Sequence, residues 1–226
     1  MKTNKSGELL KTLFKDRPRT NILKNHEQQA IFWLVKRIPG WIGPNFLTGV
    51  GLFGNIVVST SFILASIFDR TWLLFGLVGF LISWFGDSLD GRLAYYRNRP
   101  RKNFGFTLDI TIDWISVIII GFGYIIYAEG PWELLGYGFV VMYGWEMILV
   151  LIHYRLTNEY LIDSGKLGPT EVRILISAVM ITEVFVPGSL KYLAAFVVLA
   201  LFTVNIIDTH KLLKEADGID NKEQNP

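Results

Sequence analysis

Six long apolar runs dominate this sequence, at approximately 46–68, 71–96, 104–128, 131–154, 168–187 and 189–209. A helix needs roughly 17 to 25 mostly apolar residues to cross the hydrocarbon core of a bilayer. Charged and turn-forming residues separate the runs, among them Asp69-Arg70 and Glu129-Gly130-Pro131. Because 51% of the 226 residues are hydrophobic, the sequence predicts an all-α integral membrane protein with six transmembrane helices.

Polar segments flank this membrane domain, which we place at residues 28–209. Residues 1–27 are polar and basic and lack the apolar core and cleavage site of a secretory signal, so we expect them to stay on the protein. Residues 29–42 mix apolar residues with Lys36 and Arg37, which fits an N-terminal interfacial amphipathic helix or a simple lead-in to the first span. Residues 210–226 are expected to form a polar, frayed cytoplasmic tail.

The positions of the basic residues predict the orientation in the membrane. All but two of the 22 lysines and arginines fall in 1–45, 92–102, 155–173 and 211–222, which six spans would bring to one face. Only Arg70 and Lys191 fall on the other face. By the positive-inside rule, both termini and the loops at 97–103 and 155–167 are expected in the cytoplasm.

Four aspartates interrupt the second and third apolar runs. Asp87 and Asp90 are three residues apart, and Asp109 and Asp113 are four apart. Residues at these spacings share one face of a helix. Because a short loop joins the two runs, we expect the two pairs to converge just inside the membrane.

A metal site is the favoured explanation of these carboxylates. An aspartate at the centre of a transmembrane helix costs about 2.5 to 3.5 kcal/mol, so four would cost on the order of 10 kcal/mol. Arg92, Arg97 or backbone donors could neutralise part of this charge. Clustered oxygen ligands of one sign are what Mg²⁺, Mn²⁺ or Ca²⁺ require. The chain has no cysteine, which excludes thiolate sites.

The aspartates also belong to a longer spaced pattern. It reads Asp87-x2-Asp90-Gly91-x2-Ala94-x10-Gly105-x3-Asp109-x3-Asp113. This pattern resembles the signature of the CDP-alcohol phosphotransferase (CDP-alcohol phosphatidyltransferase) family, integral membrane enzymes of phospholipid synthesis. The run from Pro44 to Thr48 at the start of the first span is similar to the family as well.

The resemblance implies a role for each aspartate. Asp87, Asp90 and Asp109 would bind the metal and, through it, the pyrophosphate of the donor. Asp113 would be the general base and would also touch a second metal. The expected cofactor is therefore Mg²⁺ or Mn²⁺, with two ions, and the catalytic unit would be the six-helix domain in a homodimer.

The resemblance also implies a binding wall for the CDP group. Gly91 and Ala94 would pack beside the cytidine, with Gly105 in the same wall. The family has arginine directly after the alanine, where this chain has Tyr95. Arg92 or Arg97 is expected to take over the donor contact of that arginine.

Basic residues near the fourth and fifth spans are candidates for the acceptor site. Arg155, Lys166 and Arg173 are placed either to anchor the helices at the interface or to bind a phosphorylated alcohol. Glu171 lies in the run Gly168-Pro169-Thr170-Glu171, which is similar to a run in the eukaryotic choline and ethanolamine phosphotransferases. It would orient a cationic head group or an attacking hydroxyl, or else cap its helix.

The predicted function is transfer of a substituted phosphate group to an alcohol hydroxyl with release of CMP. The favoured donor is CDP-diacylglycerol. The main alternative is transfer from CDP-choline or CDP-ethanolamine to diacylglycerol. A divalent-cation transporter is disfavoured because transport folds usually show internal repeats, whereas the acidic residues inside the membrane are expected in one helix pair here. A lapsed lipid-binding homologue would bind donor without releasing CMP. The expected partners are the CDP-linked donor, the alcohol or lipid acceptor and membrane lipids, with no nucleic acid.

Overall fold

The protein is all-helical in a computed structural model that describes residues 22–158 and 168–224. No β-strand occurs in these residues. Short 3₁₀ helices at Arg70–Trp72 and Gly130–Glu133 precede two of the long helices. The α-helices of the described residues are α1 (Lys24–Val35), α2 (Pro44–Ile67), α3 (Leu73–Tyr96), α4 (Lys102–Tyr127), α5 (Leu134–Thr157), α6 (Pro169–Phe185) and α7 (Ser189–Gln224).

Five helical segments within the described residues are long and apolar enough to cross a membrane. They are Pro44–Ile67, Arg70–Tyr96, Lys102–Tyr127, Gly130–Thr157 and Ser189–Lys222. The first four match the predicted runs closely. Helix α6, which covers the fifth run, has 17 residues and is shorter than these five. An all-α membrane fold is confirmed, and the count of six spans stays a prediction.

Helices α5 and α7 lie side by side and run in the same direction. Asn205 Nδ2 of α7 donates to the carbonyl oxygen of Met142 in α5 at 2.8 Å. Further along both helices, His153 Nε2 lies 3.6 Å from Glu215 Oε2. Two parallel neighbours must be joined by a segment that returns to the starting end. Helix α6, which connects them along the chain, therefore runs in the opposite direction.

The end of α7 differs from the prediction. Residues 210–226 were expected to be frayed, but the helix continues without a break through Gln224. Lys211 Nζ donates to Asp208 Oδ1 at 2.8 Å and Asn221 Nδ2 to Asp217 Oδ2 at 3.2 Å. Such pairs, three or four residues apart, stabilise an exposed helix in the absence of an apolar face.

Glycines bring α2 and α3 into backbone contact. A Cβ placed on Gly86 of α3 would lie 2.5 Å from the carbonyl oxygen of Leu47 and 2.7 Å from the Cα of Gly51 in α2. A Cβ on Gly79 would lie 2.7 Å from the carbonyl oxygen of Gly54. Small residues at a helix interface allow this approach and are the usual means of packing helices in lipid. The backbone that carries Asp87 is therefore fixed against α2.

Helix α1 packs on the same end of the bundle. Its buried side chains Ile31 and Val35 join a core cluster with Leu47 of α2 and with Leu89 and Leu93 of α3. The helix lies within Lys24–Val35 and the chain turns at 36–42, so the helix starts and ends earlier than predicted. Residues 1–21 of the predicted N-terminal segment lie outside the described residues, and an interfacial position for α1 stays a prediction.

A buried carboxylate lies at the end of the bundle opposite to α1, where α6 ends and α7 begins. Glu183 of α6 is 4% exposed and accepts hydrogen bonds from the Tyr127 hydroxyl at 2.9 Å and the Leu190 amide at 2.7 Å. It also accepts from the Gly188 amide at 2.8 Å and the Ser189 hydroxyl at 3.1 Å. The expectation that the acidic residues inside the membrane lie in one helix pair was thus wrong.

Candidate active site

Three of the four predicted aspartates come together between α3 and α4. Asp87 lies in the second half of α3, and Asp109 and Asp113 lie in the first half of α4. One carboxylate oxygen from each lies within 4.8 Å of the others, and all three side chains are half-buried. The two helices are otherwise apolar, so the structure concentrates negative charge at one point of the membrane domain.

Asp90 is not among the three and contacts α2. Its Oδ2 accepts a hydrogen bond from the Thr48 hydroxyl at 2.7 Å, and its Oδ1 accepts one from the backbone amide of Gly91. The sequence did not predict a role for Thr48. The only signal for it was its place at the end of the 44–48 run that resembles the family.

Arg173 of α6 supplies a positive charge at the cluster. Its Nη2 lies 2.7 Å from Asp87 Oδ2 in a salt bridge whose side chains are 19% and 30% exposed. This contact joins two helices that lie far apart in the sequence. Arg173 was predicted as an acceptor ligand, and the structure places it against one of the predicted metal ligands.

The glycines of the spaced pattern leave open space beside the aspartates. Gly91 and Gly105 are exposed, and no heavy atom would lie within 4 Å of a Cβ at either position. Ala94 is half-buried, and Arg92 is 7% exposed. Open backbone at Gly91 and Gly105 is compatible with the predicted binding wall for a flat ligand.

Arg97 contacts backbone carbonyl oxygens between α1 and α2, and its donor contact stays a prediction. Its Nη1 donates to the carbonyl oxygen of Ile42 at 2.6 Å and its Nη2 to that of Pro39 at 2.9 Å. The guanidinium therefore fastens the segment between α1 and α2 to the end of α3. Arg92 stays the candidate for the missing family arginine.

The predicted acceptor residues make separate contacts within the described residues. Glu171 accepts from the Leu23 amide at 2.8 Å and from the Gly168 amide at 3.1 Å, so it joins the start of α1 to the start of α6. Arg155 is exposed near the end of α5. Lys166 lies outside the described residues.

The chemistry of the three carboxylates fits a divalent ion. Hard cations bind carboxylate oxygens at about 2.0 to 2.6 Å, so one ion can contact oxygens that lie within 4.8 Å of one another. Asp87, Asp109 and Asp113 are the residues that would hold it. Asp90 as a ligand, like the identity and number of ions, stays a prediction.

Comparison with known proteins connects this site to a family. The sequence pattern of the CDP-alcohol phosphatidyltransferase family matches residues 41–206, which contain all four aspartates. The chain belongs to this family. Its members transfer phosphate-containing groups, and membership indicates an enzyme of that class.

Two curated relatives carry the name Cholinephosphotransferase 1. The protein from Gallus gallus is 28% identical over 162 residues, which cover 68% of this chain and 47% of the relative. The protein from Danio rerio is 26% identical over 161 residues, which cover 68% of this chain and 41% of the relative. The chain thus matches less than half the length of each relative.

Proposed function

We propose that this chain transfers a substituted phosphate group from a CDP-linked donor to an alcohol hydroxyl and releases CMP in a reaction that requires a divalent ion. One observation supports this most strongly. Three aspartates of the family pattern converge within 4.8 Å in otherwise apolar helices. An ion bound there would polarise the phosphoryl oxygens and offset charge on the leaving group.

The chain's own residues would divide the remaining work. The alcohol oxygen forms a bond to phosphorus as the bond from phosphorus to the CMP oxygen breaks, and the proton of the alcohol passes to Asp113. Arg173 would fix the carboxylate of Asp87, and Thr48 would fix that of Asp90. Open backbone at Gly91 and Gly105 would let the CDP group approach.

We further propose that CDP carries a small head group and that a lipid supplies the hydroxyl. The names of the two relatives favour this order, as does the similarity of the 168–171 run. Arg173 contacts Asp87 and Arg155 is exposed, and neither observation favours a pocket for a phosphorylated alcohol. The alternative is transfer of a phosphatidyl group from CDP-diacylglycerol. It would use the same site, but the lipid would be part of the CDP-linked donor and a small alcohol would supply the hydroxyl.

We place the site at the cytoplasmic face because the flanking lysines and arginines lie in segments that six spans would bring to that side. Tagging each terminus and labelling intact cells would test this orientation. The homodimer implied by the family resemblance can be tested by measuring the mass of the detergent-solubilised protein.

CMP release by the purified full chain tests the reaction. Two mixtures should be compared with and without Mg²⁺: CDP-choline or CDP-ethanolamine with diacylglycerol, and CDP-diacylglycerol with glycerol phosphate, inositol phosphate, serine or inositol. We expect Mg²⁺-dependent release from the first mixture, its loss in Asp113→Asn, and its retention in Asp220→Asn, which removes an exposed carboxylate at the end of α7.

The outcomes separate the proposals. Release only from the second mixture would overturn the small head group and keep the reaction class. Release from neither mixture, with Mn²⁺ still bound by the protein, would overturn the reaction class. That result would favour a divalent-cation transporter or a lapsed lipid-binding homologue.

A further inference from the structure

A second group of polar side chains lies inside the membrane domain, between α5 and α7. We call it the polar seam, and it consists of Glu146 of α5 with Asn205, Asp208 and Thr209 of α7. The contacts of Asn205 with Met142 and of His153 with Glu215 set the register of the two parallel helices. In that register Glu146 lies opposite Asp208 and Thr209. The seam is separate from the aspartate cluster, which lies between α3 and α4.

Three oxygens of the seam are buried without a hydrogen-bond partner. They are Glu146 Oε2, Asn205 Oδ1 and Thr209 Oγ1. Asn205 is 0% exposed, and its Nδ2 donates to the Met142 carbonyl oxygen, which fixes the orientation of the amide. Its Oδ1 is therefore held inside the interface between the helices. A buried acceptor with no hydrogen-bond partner is unfavourable, so these oxygens favour a bound species.

The charge of the seam indicates what that species is. Asp208 is paired with Lys211 at 2.8 Å. Within the described part of the chain, no lysine or arginine forms a salt bridge with Glu146, which lies in a membrane-spanning segment. One carboxylate with an amide oxygen and a hydroxyl is a set of hard oxygen donors that carries a single uncompensated negative charge. A monovalent cation would neutralise it, whereas a divalent ion would leave a net positive charge in the membrane.

We infer that the polar seam binds a small monovalent cation, with Na⁺ as the ion tested, through oxygens of Glu146, Asn205 and Thr209. The bound ion joins α5 to α7 and stabilises the pair of helices. This site is independent of the proposed transfer reaction and of the divalent ion at Asp87, Asp109 and Asp113.

Binding of radiolabelled Na⁺ to the purified full chain tests the inference directly. Wild type should bind a single Na⁺ per chain saturably, and its Tm should rise when Na⁺ replaces N-methylglucamine at constant ionic strength. Both effects should disappear in Glu146→Gln. They should persist in Asp113→Asn, which alters the other site.

Two threonine-to-valine variants test the same site even if Glu146→Gln does not fold. Thr209→Val removes one seam oxygen and should weaken Na⁺ binding about tenfold. Thr203→Val removes an exposed hydroxyl of the same helix, which donates to the Leu199 carbonyl at 2.8 Å, and should leave binding unchanged.

Several results would overturn the inference. They are the absence of saturable Na⁺ binding, equal affinity in Thr209→Val and Thr203→Val, and binding that is lost in Asp113→Asn. Displacement of Na⁺ by equimolar Mn²⁺ in Asp113→Asn would instead assign a divalent ion to the seam. An unchanged Tm of Glu146→Gln in Na⁺-free buffer, without Na⁺ binding by wild type, would indicate a protonated Glu146 and would also overturn the inference.

Discussion

The contact between α2 and α3 at Gly86 makes a quantitative prediction. In Gly86→Ala the new Cβ would lie 2.5 Å from the Leu47 carbonyl oxygen and 2.7 Å from the Gly51 Cα. Both neighbours are backbone atoms, which cannot rotate away. The backbone nitrogen of Gly51 would lie closer still, so restoring ordinary contacts of 3.4 Å would require the two helices to separate by more than about 0.9 Å.

That separation should affect both stability and activity. Overpacking of this kind costs about 1 to 3 kcal/mol, so we expect a clear fall in Tm. Gly86 immediately precedes Asp87, and a displacement near 1 Å in a catalytic site can reduce the rate about 100-fold. We expect a large loss of CMP release and weaker Mn²⁺ binding in the same variant.

A matched control is available on the partner helix. Gly49 of α2 is exposed, and no heavy atom lies within 4 Å of the Cβ position. Gly49→Ala should therefore keep the Tm, Mn²⁺ binding and CMP release of the wild type. If Gly86→Ala behaves like Gly49→Ala in all three measurements, the proposed rigid support of Asp87 by α2 is refuted.

Three other substitutions test separate contacts. Thr48→Val removes the hydroxyl that donates to Asp90 and should lower the free energy of unfolding by about 1.5 to 3 kcal/mol and slow CMP release; wild-type values for both would show that Asp90 is held by other groups. Arg97→Gln should release the segment between α1 and α2, so that limited trypsin digestion cuts at 36–37 faster than in wild type; an unchanged digestion rate would contradict the fastening role. Glu183→Gln replaces an acceptor-only group with an amide that faces four donors, which should lower Tm while Mn²⁺ binding persists; loss of Mn²⁺ binding with an unchanged Tm would argue against a structural role.

Local sequence patterns predicted the helices and the aspartate pairs well. Run length defines a membrane helix because the bilayer has a fixed thickness. Spacings of three and four define a helix face, which is why Asp109 and Asp113 point the same way. A short loop then brings Asp87 to them. None of these inferences needs knowledge of distant contacts.

Contacts between distant segments could not be predicted in this way. Arg173 meets Asp87 across 86 positions, and Arg97 meets Ile42 across 55. Composition makes an arginine available but does not select its partner. The polar seam was missed for the same reason, because Glu146 looks isolated until the register of α5 against α7 is known.

Helix α7 has a mechanical consequence. At about 1.5 Å per residue, its 36 residues form a rod of about 54 Å, which is longer than a hydrocarbon core of about 30 Å. The rod acts as a lever, since a tilt of about 10° of the membrane part would move the far end by about 9 Å. A spectroscopic label near Asp220 would therefore amplify small movements of α7 against α5, including any that accompany ion binding at the seam.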